Sequence, residues 1–223
     1  MELRHIRNIP ALTEAEQAVL AGKTVAVIGC GGLGGHLTEL LTRVGVGSIR
    51  CVDGDVFEES NLNRQLLATM DSLGCSKAKA AAERVKAIDP AVQVTAHPVF
   101  LTRDNARELL TGCDAVLDAL DSMEARLTLS DACAELGVPM VYGAISGWVA
   151  QAGVSVPGDE LIATLFPDDI ALGDKSVLSF TPALCAAMQT SLCVKLLVGR
   201  PVQTGTVFYF DLLNQEFEVI PMV

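Results

Sequence analysis

A chain of 223 residues, half of them hydrophobic, holds enough apolar material for one sizeable buried core. Sixteen Lys and Arg against 27 Asp and Glu leave a net charge of −11, which argues against a nucleic-acid or anionic-membrane partner, because either rewards clustered positive charge. The charged start, MELRHIRNIPALTEAEQ, lacks the apolar stretch of a signal peptide, and no run approaches the roughly 18 apolar residues of a membrane span, so the expectation is a cytoplasmic protein.

Along the chain the apolar period switches between that of helices and that of strands, with no repeat or low-complexity linker. Thr13 and Glu16 have the spacing of a capping box that opens a short helix closed by Gly22. KTVAVIG then reads as a buried strand, GLGGHLTELLTRVG as a helix, SIRCVD as a second strand and SKAKAAAERVKAID as an alanine-rich helix ended by Pro90. VQVTAHPV (strand), RDNARELLTG (helix), DAVLDAL (strand), EARLTLSDACAELG (helix) and VPMVYGAI (strand) continue the alternation of a parallel, doubly wound α/β sheet of Rossmann type. The rhythm then breaks, because GWVAQAGVSVP follows as a strand with no helix between, which predicts an antiparallel extension. A loop over 158–181, a helix PALCAAMQTSLCVKLLVG and a hairpin GTVFYFDLLNQEFEVIP complete a single domain, whose nucleotide-binding half covers about 22–145 and whose remaining half covers about 146–223. Seven cysteines form no C-x-x-C pair and mostly lie in apolar segments, the pattern of buried free thiols.

The segment VAVIGCGGLGG carries G-x-G-x-x-G at Gly29, Gly31 and Gly34, with Gly32 beside them, between a predicted strand and a predicted helix. Glycines there let backbone approach a phosphate while the helix N-terminus offers free N–H groups. Asp53 ends the second strand 24 residues after Gly29, where a carboxylate would accept from a ribose. An NAD-dependent oxidoreductase fits these features equally well, but leaves Arg64 and Lys77 unexplained. A dinucleotide has two phosphates and the helix end serves them, so an added guanidinium fork and ammonium suggest a triphosphate. Asn61 and Asn63 can fix their loop or reach the ligand. Asp118 and Asp121 in DALDS lie at the carboxyl end of a buried strand, where either can hold the Mg²⁺ of a nucleoside triphosphate; Asp121 can also cap the next helix.

In their order and spacing, GCGGLGG, CVDGD, SNLNRQ, GCSKA and LDALDS resemble the adenylyltransferase domain of the ubiquitin-activating-enzyme-like family, the ThiF/MoeB/HesA group. The resemblance extends over nearly the whole chain. It implies ATP and Mg²⁺, with Arg64 and Lys77 on phosphates, Asp53 on the ribose, Asp121 on the metal, and Asp55, Asn61, Asn63 and Gln65 among the nucleotide-binding residues. It also implies a homodimer, since RHIRNI resembles a segment whose second arginine, here Arg7, reaches the ATP of the other protomer. The substrate implied is the C-terminal glycine carboxylate of a ubiquitin-fold sulfur-carrier protein ending in Gly-Gly, activated as an acyl-adenylate for thiamine, molybdopterin or a related cofactor. A carboxylate is already ionised at neutral pH, so the step needs positioning and charge neutralisation more than a general base. His5, His36 and His97 are accordingly expected to be structural or solvated.

Two departures from the family pattern matter. Leu161 and Thr164 stand where many relatives have the first zinc-binding C-x-x-C, and no second pair follows, so no zinc site is expected. The loop DDIALGDKSVLSF lacks the cysteine with which some relatives take over the acyl group, so the implied activity stops at adenylation. Another branch of the superfamily activates the carboxylate of a modified tRNA adenosine and cyclises it, and the charge of −11 counts against it. A scaffold that has lost its chemistry fits poorly with the intact polar set.

Overall fold

The computed structural model describes residues 3–166 and 176–222; the rest of the loop expected over 158–181, including Pro167, Asp168 and most of the cysteine-free stretch, lies outside the described residues. A 3-10 helix, Leu3–Asn8, precedes α1 (Glu14–Ala21), whose capping box is formed by Thr13 and Glu16 as the sequence predicts. Then come β1 (Thr24–Ile28), α2 (Gly32–Val44), β2 (Ser48–Val52), α3 (Lys77–Ile88), β3 (Gln93–His97), α4 (Arg103–Leu110), β4 (Ala115–Asp118), α5 (Met123–Leu136) and β5 (Met140–Ser146). These five strands are parallel in the order β3-β2-β1-β4-β5. The expected antiparallel extension follows: β6 (Val149–Ser155) turns back on β5, and the hairpin β7 (Thr206–Asp211) and β8 (Glu216–Pro221) widens the sheet to eight strands.

The central strands are apolar at nearly every position because helices cover both faces. On one face α2 and α7 (Phe180–Leu197) seal Val25, Val27, Leu117 and Val141 in a cluster with Leu37, Leu41 and Cys185. On the other, α4 and α5 cover Ala26, Ile28, Val116 and Tyr142 with Leu110 and Leu129.

The structure corrects three expectations. The predicted 158–181 loop contains a short helix, α6 (Leu161–Leu165), which Asp159 steadies by accepting from the Ser155 hydroxyl and the Val156 and Leu161 N–H groups, and which buries Leu161 and Ile162. The helix after Asp121 is capped by Ser122, whose hydroxyl accepts from Ala125 N–H, and not by Asp121. Finally, α7 is, by length and a mean hydropathy of 1.3 over 18 residues, apolar enough to cross a membrane, yet half of it is buried against the sheet and α2, which identifies a core helix.

Candidate functional site

The site lies at the carboxyl ends of β1, β2 and β4, where the parallel topology leaves a crevice. Gly29 ends β1 with φ of +93°, and its N–H donates to Val52 O at 2.8 Å, pinning the loop to β2. A Cβ on Gly29 would stand 2.5 Å from Ala119 O, and one on Gly34 would collide with Gly29 O, so both glycines serve close backbone packing. Gly32 differs: a Cβ there meets only ordinary contacts, 3.7 Å to Pro182 and 3.8 Å to Arg64 O. Gly31 is the N-cap of α2 and offers no side chain to the first-turn N–H groups, which are left for an anion.

Asp53 reaches back to this loop. One carboxylate oxygen accepts from Cys30 N–H at 2.7 Å and the other from Asp55 N–H at 2.8 Å. Burial pushes its pKa up, and those two N–H groups oppose the shift. Lys77 opens α3 behind its N-cap Ser76, with its side chain 9% exposed and its Nζ 3.1 Å from Asp55 Oδ2. The ammonium is thus held by Asp55, and its charge also opposes the upward shift of Asp53.

The loop with Arg64 is built from a reciprocal cap. Asn61, buried, accepts from Glu58 N–H through Oδ1 and donates to the Ser60 hydroxyl, so of the two roles open to it the structure shows loop fixation. Asn63 ties the loop to distant chain by donating to Val177 O at 3.2 Å. Arg64 Nη1 donates to Ser60 O at 2.7 Å and Asn63 Oδ1 at 2.9 Å; neither bond involves a carboxylate, and among the described residues the rest of the five-donor fork has no partner. Gln65 is 7% exposed and its Oε1 is buried without a partner among the described residues, while its amide lies against Gly31, whose added Cβ would be 3.4 Å from Nε2. The Arg64 loop therefore packs directly on the glycine loop.

At the end of β4 the two aspartates part company. Asp118 is fully buried, accepts from Leu120 N–H at 3.0 Å, and is bound by Arg126 Nε at 2.6 Å. Burial pushes its carboxyl up against the pull of the Arg126 charge, and every oxygen it has faces protein, so it is no metal ligand. Asp121 is exposed and carries the only carboxylate of DALDS that faces outward. Among the described residues no group of three His, Cys, Asp or Glu side chains converges on a cation position. A lone carboxylate still fits Mg²⁺ brought by ATP, which keeps several waters and binds through one or two carboxylates plus phosphate oxygens.

Sequence reasoning missed two residues. Arg126 is buried against the paired rings of Tyr142 and Phe166, and Gln189 is fully buried, donating to Asp118 O and Val141 O. The signal was present: Arg126 shares helical spacing with Leu129 and Cys133, and Gln189 with Cys185 and Cys193, so each is a polar residue on an apolar stripe.

Arg7 is not brought to these residues. The Leu3–Asn8 helix packs at the far ends of α2 and α3, where Asn8 donates to Val44 O and Arg4 pairs with Asp89. The glycine loop is at the opposite end of α2, and the 13 residues of that helix span about 20 Å. All seven cysteines are free; six are buried and Cys75 is exposed. Burial pushes the thiols of Cys185 and Cys193 up to about 12 and lowers the pKa of His36, which fits packing roles for all three.

The ThiF family model matches residues 3–222. The chain is 34% identical over 225 residues to the SAMP-activating enzyme E1 of Haloferax volcanii, covering 98% of this chain and 83% of that protein. It is also 34% identical over 223 residues to the sulfur carrier protein adenylyltransferase of Thermus thermophilus, covering 94% and 82% respectively. Among solved structures, MccB of E. coli with ATP superposes with a TM-score of 0.84 over all of this chain and 72% of that one, at 19% identity, a likeness of fold.

Proposed function

The chain belongs to the ThiF family, and from that premise we propose that it is an ATP-dependent adenylyltransferase acting on the C-terminal glycine carboxylate of a ubiquitin-fold sulfur-carrier protein ending in Gly-Gly. The carboxylate oxygen attacks the α-phosphorus of ATP, forming the acyl-adenylate, and the bond to the β-phosphate breaks to release pyrophosphate. The observation that carries this reading is the Arg64 loop: it packs on the glycine loop, with Arg64 O 3.8 Å from a Cβ placed on Gly32, and among the described residues the Arg64 guanidinium bonds Ser60 O and Asn63 Oδ1 and no carboxylate. A cation left without a carboxylate beside an anion-binding helix end suits a polyphosphate.

In this reading Gly29, Gly31, Gly32 and Gly34 shape the phosphate cradle, Asp53 accepts from the ribose, and Lys77 and Arg64 neutralise the charge that builds up as the pyrophosphate leaves. Asp55 aims Lys77, and Asn61, Asn63 and Gln65 hold the Arg64 loop against the nucleotide. Asp121 meets the Mg²⁺ carried by the phosphates, which when bound supplies further neutralisation of the triphosphate. The halves 22–145 and 146–223 serve nucleotide and carrier within one domain. We also infer a homodimer in which Arg7 serves the partner's nucleotide, supported by its position at the far ends of α2 and α3. Seven free thiols suit a cytoplasmic setting. The buried, weakly acidic Cys185 and Cys193 favour a chain that adenylates and leaves sulfur transfer to another enzyme.

The test is exchange of radiolabelled pyrophosphate into ATP. It should require both Mg²⁺ and a Gly-Gly-ending carrier. Exchange driven equally well by tRNA, or oxidation of a hydroxy substrate with NAD, would overturn the reading.

A further inference from the structure

At the end of β4, Leu120 is held at both of its peptide groups. Its N–H donates to Asp118 Oδ1 at 3.0 Å and its carbonyl accepts from Arg126 Nη2 at 2.7 Å. The same guanidinium binds Asp118 Oδ2 through Nε at 2.6 Å and reaches across to β5 through Gly143 O at 3.2 Å. Its Cζ lies 5.2 Å from the Tyr142 ring centre and 5.0 Å from that of Phe166. The next residue in the chain is Asp121, exposed at the mouth of the crevice.

A buried ion pair is poor value as a stabiliser, since well-packed apolar residues of similar volume often do as well or better. Its geometry here has a different product: a loop of fixed conformation. We propose that Arg126 is a positioning residue of the adenylation site, which with Asp118 locks the two peptide planes flanking Leu120 and so sets where the Asp121 carboxylate is presented. Arg126 is 7% exposed at its side chain and its guanidinium is turned to Asp118, Leu120 O and Gly143 O, so it lies behind the loop that carries Asp121. Lysine cannot replace it, because a compact ammonium lacks the planar fork that reaches Asp118, Leu120 O and Gly143 O at once. The inference rests on the reading of Asp121 as the carboxylate that meets phosphate-bound metal.

Arg126→Lys, Asp121→Ala and the double variant test it. Mn²⁺ binding to each protein with α,β-methylene-ATP is followed by electron paramagnetic resonance, and the Mg²⁺ midpoint of pyrophosphate exchange is measured in parallel. Arg126→Lys should weaken metal binding by about ten- to a hundred-fold, the usual effect of removing a group that orients a ligand. The Michaelis constant for ATP at saturating Mg²⁺ should change little, and the double variant should bind metal no worse than Asp121→Ala. Unchanged metal affinity in Arg126→Lys alongside a shift in Asp121→Ala sinks the inference alone, as does a full additional loss in the double variant. No shift in Asp121→Ala sinks the reading of Asp121 and the inference with it. If Arg126→Lys does not fold, hydrogen exchange in the unaltered protein decides: the Leu120 amide should exchange at least about tenfold more slowly than that of Asp121, and equal rates would refute the lock.

Discussion

The two sides of the crevice hold their charged groups in opposite ways. On the β1–β2 side the residues proposed to face the nucleotide are themselves the structural ones: Asp53 is tied to Cys30 N–H, and Lys77 is paired with Asp55. On the β4–β5 side the labour is divided, with Asp118 and Arg126 buried and bonded to each other while Asp121 projects outward. A pre-paired lysine is already ordered when phosphate arrives, so little side-chain entropy remains to be lost. A free carboxylate at a loop tip has no such preorganisation, and the buried pair behind it supplies the order through the backbone.

That contrast predicts separable effects. Asp118→Ala leaves the Arg126 charge buried without its carboxylate and should cost about 3–5 kcal/mol of stability in chemical denaturation, whereas Asp121→Ala should stay within about 0.5 kcal/mol. Equal stabilities would erase the division of labour. On the other side, Arg64→Ala and Lys77→Ala should each lower adenylation on the order of 10²-fold or more, with folding retained because Arg64 is part-exposed and the Asp55 left behind is 53% exposed at its side chain. Near-normal pyrophosphate exchange in both would show the site to be elsewhere. A subtler change is Gly32→Ala: the space for a methyl is there, so stability should move by no more than about 1 kcal/mol, in the direction helix propensity favours. ATP affinity measured by calorimetry should nevertheless fall, since the methyl points at the Arg64 and Pro182 side of the cradle.

The smallest expected effect lies far from the crevice and serves as its control. Hydrogen bonding to Arg200 holds the Glu16 carboxyl down to about 2, against an ordinary value of 4.5. A depressed carboxylate adds stability above its unfolded pKa and loses it as pH falls through the folded one, so Glu16→Gln should flatten the fall of melting temperature between pH 4.5 and about 2. Pyrophosphate exchange at neutral pH should be untouched.

The alternation of parallel strands with helices and the antiparallel extension were legible because both follow from period: continuous apolar runs for strands covered on two faces, and the loss of the intervening helix after β5. The short α6 was not, because five residues give no period and its support is Asp159, a loop residue whose bonds depend on tertiary geometry. In the site, glycine spacing announced the cradle, but sequence left Asp118 and Asp121 open as metal ligands. Burial separates them, with Asp118 sealed in the core against Arg126, eight residues along on α5, and Asp121 exposed. The pairing of Lys77 with Asp55 and the bond from Asn63 to Val177 O span 22 and 114 residues, so no local pattern encodes them. Asp121 as a helix cap was a fair local expectation that lost to its neighbour Ser122.

The central claim is that this crevice joins AMP to a carrier's C-terminal carboxylate and does nothing further. Intact mass spectrometry of a Gly-Gly-ending carrier incubated with ATP, Mg²⁺ and the protein tests it most directly. The account predicts a carrier heavier by one adenylyl group, formed equally by the unaltered protein and by the variant carrying Cys185→Ala and Cys193→Ala, and absent with Arg64→Ala. A carrier of unchanged mass, or an enzyme–carrier adduct that a thiol reagent cleaves and the double cysteine variant fails to form, would contradict it.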